Sequence, residues 1–300
     1  MVQGPTAERS SGSGRLRGAA AVLYRHPRAQ LALLLAAPLG WLVIAYLGSL
    51  ALFLITSLWQ VDSFSGNLIT KPTLDNYIEV ATTEVYRTIA ARTVLMAALV
   101  TLTTILVAFP IAFYMARLAS PRTRGLLVVS ILLPLWSGYL VKVYAWRLIL
   151  SQGGVLNGLL APFGLAGPGY SDVAVWLVES YLWLPYMIIP IYAGLERIPT
   201  SLLEASSDLG GRAWITLRRV ILPLALPAVL AGSIFTFSLT LGDYITPTLV
   251  SNTRFIGNVV YDFVGVAGNQ PLAAAFAMVP VTIMLVYLFV ARRLGAFEAL

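Results

Sequence analysis

Cysteine is absent from all 300 residues, and histidine occurs once, as His26. The first absence excludes disulfides, thiol nucleophiles and cysteine-based metal centres together. The second excludes a histidine-built zinc site, which needs three or four ligands. His26, followed by Pro27 and set among arginines, reads as a juxtamembrane surface residue. Charge is scarce as well: only 11% of residues are Asp, Glu, Lys or Arg, against roughly 25% in a soluble domain. With 58% hydrophobic residues and a mean hydropathy of +0.82, the chain reads as an integral membrane protein. No phosphate-binding loop ending in Gly-Lys-Ser/Thr, no dinucleotide fingerprint and no catalytic constellation occurs in it.

Long apolar runs fill the space that charge leaves. A span needs about 20 mostly apolar residues, and charge-poor stretches lie at about 31–58, 93–116, 125–150, 173–195, 220–241 and 272–291. The expected fold is therefore all-α, with about six transmembrane helices. Lys142 and Arg147 sit toward one end of the third stretch, and Glu179 near the start of the fourth. The uncharged run 29–61 is far longer than the apolar core of a signal peptide, so it reads as a retained first span. Residues 1–28 read as a disordered, juxtamembrane N-terminus, 29–293 as the six-span transmembrane domain and 294–300 as a tail.

Orientation follows from arginine and lysine, which cytoplasmic loops retain. With six spans and the N-terminus inside, the inner segments hold most of the 20 basic residues: Arg9 to Arg28, Arg117 to Arg124, Arg197 to Arg219, and Arg292 with Arg293. On the outer side Lys71, Arg87, Arg92, Lys142, Arg147 and Arg254 are outnumbered by Asp62, Asp75, Glu79, Glu84, Asp172, Glu179, Asp243 and Asp262. Both termini are then cytoplasmic. A sequence pI near 9.8 reflects this topology signal, and no nucleic-acid partner is expected.

Between the spans, 59–92 is long enough for an outer cap that faces a partner. Residues 151–172 bracket a run of small apolar residues with Gly and Pro, which suits either a short helix along the outer membrane surface or plain loop. The inner turn "RLASPRTR", 117–124, reads as a tight connection between two spans.

One segment is out of character: "IPTSLLEASSDLGGRAWITLRRVILPLALP", 198–227, a polar hairpin with both signs of charge between apolar spans. Pro199 marks a break, Ser201 and Glu204 stand three apart as a capping box, and Gly210-Gly211 supply a left-handed stop. A short helix is expected over 200–209 and a second beginning near Arg212. Packed helices are usually joined by 2 to 8 residues, so mere connection does not call for this hairpin.

Glu204-Ala205-Ser206, three residues, Gly210, nine residues, then Val220-Ile221-Leu222-Pro223 resembles the "EAA" loop of permease subunits of bacterial ABC importers. Ser206 stands where that pattern usually has Ala, and Val220 where it usually has Ile. The resemblance implies that the loop 196–219 carries a coupling helix docking on an ATPase, with the roles falling on Glu204, Ala205, Ser206 and Gly210. Glu204 capping its own helix is the plainer alternative. "LLPLWSGYLVKVYAW" (132–146), "GGVLNGLL" and "LGDYITPTLVSN" (241–252) extend the resemblance to the B-type permease of spermidine/putrescine importers. It implies a type I importer in a bacterial inner membrane: two ATPase subunits, a second, C-type permease and an extracytoplasmic binding protein. ATP and magnesium would then sit on the ATPase, with no cofactor in this chain.

A polycationic cargo is held by carboxylates and by aromatic faces, each cation-π contact contributing about 0.5–2 kcal/mol. Asp243 and Tyr244 at the end of the fifth span, with Glu179, Tyr181, Trp183 and Tyr186 at the start of the fourth, are candidates for the substrate path. Trp136, Tyr139 and Tyr144 in the third join them. Tyr and Trp also belong to membrane interfaces by default. Other small organic cations, opine-like or amino-sugar compounds and anions remain alternatives. So, outside the importer class, does a secondary transporter, which would call for internal repeats and buried coupling-ion residues.

Overall fold

The computed structural model describes residues 27–62 and 65–295. The expected N-terminal disorder, the position of His26 and the end of the tail lie outside the described residues. The chain divides into two units, Met1–Thr56 and Ser57–Leu300. In the first, one apolar helix, α1 (Gln30–Thr56), passes through a π-helical turn at Leu42–Leu47.

The second unit opens with a short antiparallel hairpin, β1 (Gln60–Val61) with β2 (Leu68–Ile69), followed by α2 (Asp75–Thr82). Asn76 fastens the start of this cap by donating to the carbonyls of Ser57 and Trp59 at 2.9 and 2.6 Å. α3 then runs from Glu84 to Leu118, 35 residues. At 1.5 Å per residue it exceeds the roughly 30 Å apolar thickness of a bilayer. The expected start near 93 is thus nine residues late, because Arg87 and Arg92 mark where the apolar pattern stops and not where the helix does.

The expected continuous third span is broken at Ser137-Gly138 into two helices, α4 (Pro121–Trp136) and α5 (Tyr139–Leu150), and Tyr139–Phe163 as a whole is bent by 94° from α4. Pro134 lies just before the bend, and its carbonyl accepts from Ser137 Oγ at 2.8 Å and from Lys142 Nζ at 3.1 Å. Lys142, awkward in a straight span, is used at the corner. A short helix α6 (Val155–Leu160) follows, inside the Gly and Pro residues that bracket the segment.

α7 (Asp172–Glu196), α8 (Thr200–Asp208), α9 (Ala213–Gly242), two short helices α10 (Ile245–Val250) and α11 (Ile256–Gly265), and α12 (Gln270–Arg293) complete the fold. Among the described residues five helices are long and apolar enough to cross a membrane, or six if the bent pair is one span. The all-α integral membrane fold expected from the sequence is the one observed.

α3, α7 and α9 pack mutually and form the centre. Their seam is lined with small residues, which let helix backbones approach where lipid offers no hydrophobic drive. A Cβ on Gly194 of α7 would lie 2.3 Å from the Ala228 Cβ of α9, and one on Gly232 would lie 2.8 Å from Met187 Sδ. α12 packs beside α9, α11 and α2, with Phe276 fully buried against Tyr86 and Phe263.

Candidate functional site: an acidic aromatic cavity and an exposed short helix

Two places in the second unit carry polar chemistry that packing alone does not explain. The first lies where α5, α7, α9 and α10 converge. α9 ends at Gly242, and Asp243 turns the chain into α10: its Oδ1 accepts from the backbone N–H of Ile245 and Thr246 at 2.9 and 3.3 Å. Its Oδ2 accepts from Tyr139 Oη at 2.5 Å, and Tyr139 Oη also lies 2.7 Å from Thr246 Oγ1. Tyr139 in turn stacks on Trp183, centroids 5.9 Å apart and rings 9° from parallel. Trp183 meets Tyr186 edge-on at 6.1 Å. Tyr139, Trp183, Ser238, Leu239, Gly242, Asp243 and Tyr244 line a cavity of about 340 Å³.

Glu179 stands one turn before Trp183 on α7, facing the same side of the helix. It is 1% exposed, and among the described residues its Oε2 has no hydrogen-bond partner; neither has the indole N–H of Trp183. A carboxylate held this way is expensive inside a bilayer and is a mark of function by default. Asp243 and Glu179 are close enough to interact electrostatically.

The cavity thus gathers Asp243, Tyr244 and Trp183, with Glu179 behind them. It does not gather every expected residue. Trp136 ends α4 and is 90% exposed, while Tyr181 packs against Trp146, centroids 5.4 Å apart. Neither lines the cavity, because the 94° bend carries Trp136 off the α5 axis and Tyr181 points to another side of α7 than Glu179 and Trp183. Tyr139, one aromatic among several in the sequence, is the residue that ties α5 to Asp243. Asn258 belongs to no motif in the sequence, although it is buried and donates to Tyr244 O at 2.9 Å and Thr248 Oγ1 at 2.7 Å while accepting from Phe255 N at 3.1 Å. An amide inside the apolar run Ile256 to Val260 is the one signal that could have found it.

The second place is α8, between the ends of α7 and α9. Pro199 occupies its N-cap and no side chain caps it. The expected Ser201–Glu204 capping box is therefore absent, because Ser201 already lies inside the first turn. The stop is as expected. Gly210 takes φ +78°, and the N–H groups of Gly210 and Gly211 bond to Ser207 O and Ser206 O at 2.9 and 2.8 Å, the paired bonds of a Schellman motif. Gly211 is required too, since a Cβ there would lie 2.5 Å from Ser206 O. Ser206 Oγ is 2.9 Å from Thr216 Oγ1, tying α8 to the first turn of α9. Glu204 and Ala205 are exposed, as are Leu209, at 89%, and Trp214.

Residues 108–296 match the family described as binding-protein-dependent transport system inner membrane component. The chain is 43% identical over 305 residues to the inner membrane ABC transporter permease protein YdcU of Escherichia coli, covering 96% of each chain. It is 28% identical over 261 residues to the spermidine/putrescine transport system permease protein PotB of Haemophilus influenzae, covering 85% of this chain and 90% of that one. A crystal structure of a bacterial alginate ABC transporter in complex with an alginate pentasaccharide-bound periplasmic protein superposes with a TM-score of 0.70 at 16% identity, over 92% of this chain and 98% of that one. At that identity the likeness shows the fold. The architecture is that of an ABC importer permease subunit. The chain belongs to the binding-protein-dependent transport system inner membrane component family.

Proposed function

We propose that this permease subunit forms half of the path of an ATP-driven polyamine importer and that α8 is the helix that docks on a separate ATPase. The observation that carries the docking reading is α8 itself: nine residues, exposed, ended sharply by a left-handed glycine and placed between two long apolar helices. Its Glu204-Ala205-Ser206 and Gly210 fall on the coupling motif, and its end of the molecule carries Arg117, Arg122, Arg124, Arg212, Arg218 and Arg219, as a cytoplasmic face should. The termini then also lie on the cytoplasmic side. The chain supplies lever and path wall and does no ATP chemistry; nucleotide and magnesium belong to the ATPase pair. Closure of that pair moves two such helices, one from this chain and one from a second permease. The two permeases rock from inward-open to outward-open, a rigid-body switch, and an extracytoplasmic binding protein delivers the cargo to the opposite end.

The polyamine reading draws support from the similarity to a spermidine/putrescine permease and from the cavity's chemistry. Asp243, Tyr244 and Trp183, backed by the buried Glu179, offer carboxylate and aromatic faces to an ammonium group. In this arrangement Tyr139 already occupies Asp243, so an arriving ammonium has to displace or share that hydroxyl. The test is uptake of labelled putrescine and spermidine by the complete complex in proteoliposomes, beside direct measurement of what the cognate binding protein captures. Saturable, ATP-dependent amine uptake is expected. A binding protein that ignores polyamines would remove the cargo assignment and leave family membership untouched.

A further inference from the structure

We propose that Arg117 is the positioning residue through which α8 acts on the rest of the bundle. In a continuous helix the Leu195 carbonyl would accept from the N–H four residues on, but that residue is Pro199, which has none. Leu195 and Ile198 are both buried, where an unpaired carbonyl is costly. Ile198 N–H supplies one long bond to Leu195 O, 3.3 Å. The strong donor comes from another helix. Arg117, in the π-helical last turn Tyr114–Leu118 of α3, donates from Nη2 to Leu195 O at 2.5 Å and to Ile198 O at 2.7 Å.

A guanidinium at the end of α7 also meets the negative pole of that helix. The same corner adds Arg124 of α4, whose Nε donates to Met115 O at 3.0 Å and whose Nη1 lies 3.4 Å from Glu196 Oε1. The turn "RLASPRTR" is therefore more than the plain connection its sequence suggested. It fastens the peptide leading into α8 to α3 as well as to α7. A displacement of α8 then reaches α3 as well as α7 and α9; without the guanidinium the link to α3 is lost, and what passes toward α7 is absorbed at the Pro199 break.

This inference rests on α8 being the ATPase-docking helix, and the experiment separates the two. Arg117→Gln and Arg117→Lys are placed in the complete complex, and cargo uptake and ATP hydrolysis are both measured in proteoliposomes. Arg117→Gln is expected to keep hydrolysis within about twofold while uptake falls about tenfold or more, lowering cargo moved per ATP about fivefold or more. Arg117→Lys keeps the charge without the planar fork and falls between. An unchanged ratio of uptake to hydrolysis in Arg117→Gln, with both rates normal or both reduced, overturns the proposal.

Where Arg117→Gln fails to assemble, the chain that retains Arg117 decides. It has no cysteine, so Leu118→Cys and Ser201→Cys carry spin labels in a complex with cysteine-free partners. A label separation unchanged by nucleotide supports the clamp, and one that changes with nucleotide overturns it. Glu204→Lys is run in parallel. Wild-type uptake in Glu204→Lys removes the docking reading itself, whereas uncoupling there beside a normal Arg117→Gln removes the Arg117 proposal alone.

Discussion

The two carboxylate oxygens of Asp243 have different partners: one holds the first turn of α10, the other takes the Tyr139 hydroxyl. Asparagine at this position keeps an oxygen for the backbone N–H groups, and its amide can donate to the phenol oxygen, so the fold is preserved while one negative charge is lost. If the carboxylate meets a cationic cargo, one such contact is worth about 1–2 kcal/mol, or roughly five- to thirtyfold in rate at the limiting step. Asp243→Asn is accordingly expected to lower putrescine or spermidine uptake by that factor while the assembled complex still hydrolyses ATP. Normal uptake in this variant would remove Asp243 from the path. Asp243→Ala is a poorer probe, because it also strips the α10 terminus of its acceptor. The acidic residue at the end of a span is legible in the sequence, since a carboxylate there needs a reason. Its pairing with Tyr139 is not, because the contact spans 104 positions and depends on a bend that composition does not reveal.

On the scale of elements, α8 and the α7–α9 seam each make a claim. Glu204 is exposed and caps nothing among the described residues, so Glu204→Lys should insert and fold normally yet abolish ATP-driven uptake, as reconstituted transport assays would show. Gly210→Val acts differently, since φ +78° is a backbone conformation that a β-branched residue avoids. The Schellman stop should fail and α8 lose its fixed direction, with loss of uptake and of ATPase association in pull-down. Gly194→Val tests packing: its side chain would collide with Ala228, and overpacking of this kind typically costs about 1–3 kcal/mol. The purified protein should melt at lower temperature, and an unchanged melting curve would contradict the close approach of α7 and α9. The long apolar helices and the α8 hairpin are legible in the sequence because long charge-poor runs, Pro199 and the paired glycines are local signals. The break at Ser137-Gly138 and the helices α10 and α11 are not. α11 starts on a distant group, Thr93 Oγ1, which accepts from Ile256 N at 3.1 Å across 163 positions; the corner and α10 rest on nearer side chains, Lys142 on Pro134 O and Asp243 on Ile245 N, whose part in a helix end shows only once the chain is folded.

For the whole molecule, the decisive quantity is how many docking helices one chain offers. Among its described residues this chain carries one helix of the α8 kind, whereas an ATPase dimer with two-fold symmetry presents two equivalent grooves. If α8 is the docking helix, one subunit leaves a groove empty and supplies only one wall of a path. Two copies of this chain would satisfy the count, but a linear polycation approaches two differently lined half-paths more selectively than two identical ones, because specificity is a difference of affinities that distinct walls can tune separately. The resemblance to the B-type permease points the same way. Affinity purification of this chain from its native membrane is expected to bring down a second, different permease of similar size together with the ATPase. Intact-mass measurement of the complex should give one copy of each permease and two of the ATPase. A complex with two identical copies of this chain and no other permease would reject the heterodimer and require that the Asp243 cavity occur twice, face to face, along a single path.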